Sequence, residues 1–77
     1  MLTGQISFRN SIAIVQIRTG WLKGAGNMPF DKLLDKVASA QSGAVLFDLQ
    51  NAGRLRVSDL GKLVDAAVAL RRFRVKG

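Results

Sequence analysis

Apolar and polar positions alternate from Gln5 to Arg18, with Ile6 and Phe8 in one stretch and Ile12, Ile14, Val15 and Ile17 in the next. A period of two is the signature of strands, and Asn10 and Ser11 between the stretches are turn formers, so the segment predicts a tight antiparallel hairpin. The run from Ile12 to Ile17 is β-branched and apolar on nearly both faces, as expected of a central strand covered on two sides. Thr19 to Asn27 follows, with Gly20, Gly24 and Gly26 around Trp21, Leu22 and Lys23, and predicts a loop.

The period then changes. Phe30, Leu33, Leu34, Val37 and Ala38 recur at helical spacing, which predicts an amphipathic helix from Pro29 to Gln41, with Gly43 placed to end it. Ala44 to Leu49 is a short apolar run bounded by Gly43 and by Gln50-Asn51-Ala52-Gly53, the pattern of a buried strand. A strand, a helix and a strand at this spacing form a right-handed crossover, so the flanking strands should be parallel neighbours. Ser58 can cap a second helix, with Leu60, Leu63, Val64, Ala67 and Val68 as its apolar stripe and Arg71, Arg72, Arg74 and Lys76 loading its C-terminal end. The expected order is β-β-α-β-α, an α/β fold with a small mixed sheet in a single domain over residues 1–77.

Composition narrows the chemistry. Among 77 residues there is no Cys, His, Tyr or Glu, which removes disulfides, thiol nucleophiles, zinc sites of the Cys/His kind and imidazole bases. The Asp residues do not form a catalytic set: Asp31 and Asp35 alternate with Lys32 and Lys36 on the first helix, and Asp48, at a strand end, is suited to fixing the loop that follows it. No enzyme, metal site or cofactor is expected. The glycines around Trp21 and Lys23 match neither nucleotide-binding fingerprint. No apolar run is long enough for a membrane span, and the N-terminus lacks the features of a secretory signal, so the expected compartment is the cytoplasm.

Charge adds a second possibility of function. Twelve Lys plus Arg against five Asp give a net charge of +7. Arg71, Arg72, Arg74 and Lys76 surround Phe73, as a nucleic-acid or anionic-surface contact would, and equally as a solvated helix terminus would. Trp21 is either an anchor for a protein partner or a lid on the core.

The segment Gly43-Ala-Val-Leu-Phe-Asp-Leu-Gln-Asn-Ala-Gly-Arg-Leu-Arg-Val-Ser-Asp-Leu-Gly-Lys-Leu-Val64 resembles the STAS domain, the fold of anti-sigma factor antagonists, stressosome subunits and the cytoplasmic tails of sulfate transporters. Asp48 and Leu49 match that family's strand end, and Ser58, Leu60, Gly61 and Leu63 match the motif and helix that follow. Gly20-Trp-Leu-Lys23 falls where the family often has Gly-x-Leu-Asp. Four positions depart from the pattern: Arg56 stands where Asp is common, Val57 where the phosphorylated Ser or Thr sits, Asp59 where Gly follows, and Lys23 replaces another common Asp. A valine cannot accept phosphate, and Ser58, one position later, is the alternative acceptor or a helix cap. The order read from the pattern also lacks the last strand and helix of that fold, so a minimal or truncated form, or a neighbouring subunit closing the sheet, is implied.

The resemblance implies a regulatory protein–protein interaction domain without a standard phosphoacceptor. Arg56, Val57, Ser58, Asp59, Lys62 and Trp21 would contact the partner, either an anti-sigma-type serine kinase or another STAS-like subunit, and a homo-oligomer is expected. The alternative is a small basic accessory protein that binds nucleic acid or an anionic surface through Arg71, Arg72, Arg74 and Lys76.

Overall fold

The computed structural model describes residues 2–20, 26–40 and 43–70 in full and residues 73–76 as backbone. Strands β1 (Leu2–Arg9) and β2 (Ile12–Thr19) form an antiparallel hairpin in which Arg9 pairs with Ile12. Asn10 and Ser11 between them have φ of 51° and 67°. Two linking residues with positive φ make a type I′ turn, whose twist matches that of the strands it joins. The predicted joint is therefore present.

Strand β3 (Met28–Pro29) pairs antiparallel with β1 at the sheet edge, and helix α1 follows as Phe30–Ala40. Pro29, expected in the first helical turn, ends this edge piece instead, where its missing N–H is tolerated. Gln41, the expected helix end, lies outside the described residues. Gly43 donates its N–H to the Ser11 carbonyl at 2.8 Å, tying the start of the next strand to the hairpin turn.

Strand β4 (Ala44–Asp48) runs parallel to β2, with Ala44 opposite Ile12 and Asp48 opposite Gln16, as the crossover predicts. Helix α2 (Val57–Leu70) leads to β5 (Phe73–Lys76), which is parallel to β4. The sheet order is β3-β1-β2-β4-β5. The expected order β-β-α-β-α without a final strand is thus corrected to β-β-β-α-β-α-β. Residues Phe73-Arg-Val-Lys76 alternate apolar with cationic, a strand period that the preceding arginines hide in a sequence reading. Cations also suit an edge strand, because they discourage pairing with another chain.

The alternation of β2 divides the sheet into two unequal faces. Ala13, Val15 and Ile17 are fully buried, whereas Ile12 is 39% exposed and Ile14 is half-buried. The two-sided cover expected for this strand is therefore absent among the described residues, although β2 does lie at the centre of the sheet. The reason is topological. Both crossovers step in the same direction, β2 to β4 and β4 to β5, and a shared right-handed sense places α1 and α2 on one face. There Phe30, Leu33 and Val37 of α1 and Ala66 of α2 pack with Val45 and Phe47 in one core. The Phe30 and Phe47 rings meet at 6.5 Å between centroids, tilted by 41°.

Candidate interaction surface

The surface is built on the loop from β4 to α2. Asp48, at the end of β4, accepts a hydrogen bond from the Gln50 N–H on Oδ1 at 3.0 Å, the loop-fixing role expected of it. The Ala52 N–H donates to the Leu49 carbonyl at 3.1 Å. The Thr19 hydroxyl donates to the Ala52 carbonyl at 2.8 Å, and Ala52 itself is buried. Gly53 then adopts a φ of +70°, a conformation that favours glycine. Leu55 packs against the core, and the chain turns into α2.

The start of α2 differs from the sequence reading. The Arg56 carbonyl accepts the first helical bond, from the Leu60 N–H at 3.0 Å, which makes Arg56 the capping residue. Asp59 reaches back, and its Oδ2 accepts the Arg56 N–H at 3.1 Å. This is the return half of a capping box, the half supplied by the third helical residue. Ser58, expected as the cap, is instead the second residue of α2; it is exposed, and its hydroxyl has no hydrogen bond among the described residues. Asp59, expected to contact a partner, is buried and holds the helix start. Arg54, Arg56, Val57, Ser58 and Lys62 are exposed around it. Trp21 lies outside the described residues.

Along α2 the apolar residues divide into two arcs. Leu63, Ala66, Ala67 and Leu70 turn toward the core. Val57, Leu60, Val64 and Val68 are 87%, 46%, 61% and 70% exposed. The stripe predicted as core therefore merges two surfaces, and Leu60, Val64 and Val68 belong to the outer one. Beside them opens a groove of about 310 Å³ whose described lining residues, Phe47, Leu49, Leu60, Leu63, Val64, Ala67 and Val68, are all apolar. The signal was present in the sequence: apolar residues occupy more of the circumference of α2 than one packed face requires.

A second concavity lies at the C-terminal ends of β2 and β4, lined by Thr3, Arg18, Thr19, Asn27, Asn51, Ala52 and Gly53. α/β proteins often place ligands at this end of the sheet. Here the Thr3 hydroxyl donates to the Arg18 carbonyl at 3.4 Å and that of Thr19 to Ala52, so both protons are committed. Among the described residues no group of three or more His, Cys, Asp or Glu side chains could hold a metal ion. No described helix is long and apolar enough to cross a membrane.

The basic tail is redistributed by the correction at β5. Arg74 pairs with Leu46 and Lys76 with Asp48, while Arg71 and Arg72 lie outside the described residues. A continuous helix would carry Lys76 away from Arg54 and Arg56. The parallel strand returns its backbone to the Asp48 end of the sheet, from which their loop departs.

Comparison with known proteins is negative at every level: no family model, no curated protein and no solved structure matches this chain.

Proposed function

We propose that this chain is a STAS-like regulatory protein–protein interaction domain, similar to an anti-sigma factor antagonist, that binds its partner through the loop before α2 and the outer face of that helix. The observation that carries the reading is the exposed stripe Val57, Leu60, Val64 and Val68 beside an apolar groove. Four large aliphatic side chains on one exposed helix face exceed the scattered apolar residues of an ordinary surface and mark an interaction site. The strand, tied loop and helix from Ala44 to Leu70 are the elements that carry the sequence resemblance. Arg56, Val57, Ser58 and Lys62 stand at this surface as contacts, and Ser58 is its alternative phosphoacceptor. Asp59 supports it from beneath. An anti-sigma-type kinase or another STAS-like subunit is the partner class that the resemblance favours.

The test is affinity capture with the tagged full chain and its Val64→Lys variant from cells that express the protein naturally. A kinase or STAS-like protein retained by the wild type and lost from the variant supports the reading. Equal capture by both removes the helix face from it.

A second reading, binding to nucleic acid or an anionic surface, rests on the net charge of +7 and on the return of β5, which places the Lys76 backbone at the same end of the sheet as the Arg54 and Arg56 loop.

A further inference from the structure

The outer face of α2 is apolar along its length and basic at its N-terminal end. Among the described residues its groove wall holds Phe47, Leu49, Leu60, Leu63, Val64, Ala67 and Val68, all apolar. Exposed Arg54 and Arg56 stand at the N-terminal end. Of the two carboxylates on α2, Asp59 is buried against the Arg56 N–H, which leaves Asp65 as the exposed one. An occupant of this groove therefore meets apolar side chains along α2 and positive charge at the N-terminal end of the helix. A second copy of the chain would bring the same arginines and a further +7, so like charge opposes self-association here.

Resting on the interaction reading above, we infer that the occupant is an acidic amphipathic helix of a partner protein, with aliphatic or aromatic residues on one face and Asp or Glu flanking them. From Val57 to Val68 the stripe spans about 16 Å, the length over which three or four anchors at helical spacing could lie against it. Apolar contact supplies the affinity, and Arg54 and Arg56 at one end select the acidic flank and the direction of approach.

The experiment uses the full chain and three synthetic helical peptides that share one Leu/Ile/Phe stripe and differ only in flanking Glu, Gln or Lys. Affinities come from fluorescence anisotropy, and the contact surface from amide shifts in NMR spectra. The Glu peptide is expected to bind at least about tenfold more tightly than the Gln peptide, and the Lys peptide least, with the preference shrinking as salt screens it. The Val64→Lys variant should lose the Glu peptide, while Arg54→Gln combined with Arg56→Gln should retain binding and lose the preference. Equal affinity for all three peptides, still abolished by Val64→Lys, would overturn the acidic partner and leave the docking face standing. Binding indifferent to Val64→Lys would overturn both. A wild-type chain that sediments as a dimer, with Leu60, Val64 and Val68 covered, would also overturn the inference, because a second copy would then be the occupant.

Discussion

The Asp59 carboxylate accepts the Arg56 N–H at 3.1 Å and so closes the first turn of α2 on itself. Asp59→Ala should cost about 1 kcal/mol, the usual scale for a lost N-terminal cap. Ser58→Ala should change stability by less than about 0.5 kcal/mol, because its exposed hydroxyl satisfies none of the helix's N–H groups. Urea unfolding of the two variants separates them; a larger loss for Ser58→Ala would return the cap to serine.

Gly4 lies where β1 passes beneath α1. A methyl group added to it would fall 2.3 Å from the Gln16 carbonyl oxygen and 3.1 Å from Leu33 Cδ1. Leu33 could turn aside, but the backbone oxygen of the paired strand cannot move without breaking the hairpin register. Gly4→Ala should therefore cost about 3 kcal/mol, the upper part of the range for overpacked cores. That is comparable to the whole stability of a domain this small, which is about 3–5 kcal/mol. About 0–2 kcal/mol then remains, so urea unfolding followed by circular dichroism should show the midpoint lowered by more than about half, and an unchanged midpoint would contradict the close approach.

The hairpin turn offers a change in the opposite direction. Ser11 has a φ of 67°, a region in which its Cβ is strained and glycine is not. The contact it makes to Gly43 uses its backbone carbonyl, which glycine retains. Ser11→Gly converts the joint to Asn-Gly, the preferred pair for a type I′ turn, and should stabilise by about 0.5–1 kcal/mol. The midpoint should rise by roughly 2–8 °C on the scale of small domains. An unchanged or lower midpoint in a thermal melt would show that the strain is absent.

What could be read from the sequence, and what could not, divides along physical lines. Hairpin, first helix and buried strand were legible because each has an unmixed period and turn residues at its ends. Pro29 was misplaced because a proline serves a first helical turn and an edge strand equally well. Strand β5 was hidden because Arg71 and Arg72 extend the basic run back to α2, so an alternating segment of four residues resembled a charged helix end. On α2 the apolar pattern was visible, but which part met the core depended on the sheet below, and no local pattern contains that. Ser58 and Asp59 each carry an oxygen able to cap, and only the exact start of the helix decides between them.

Salt separates the two functional readings. A complex held by Leu60, Val64 and Val68 buries apolar surface, and raising salt should leave its affinity nearly unchanged after the contribution of Arg54 and Arg56 is screened, a loss of about tenfold at most. Binding to a nucleic-acid backbone through about four cations would instead fall by about 10³–10⁴-fold for a tenfold rise in salt, since each neutralised phosphate contributes to the slope. The same titration on a Val64→Lys variant adds an independent axis: an added cation on α2 should abolish the apolar complex and hold or strengthen phosphate binding. A partner lost with Val64→Lys and little affected by salt is the expected result. A steep salt slope that survives the substitution would assign the function to the basic residues instead.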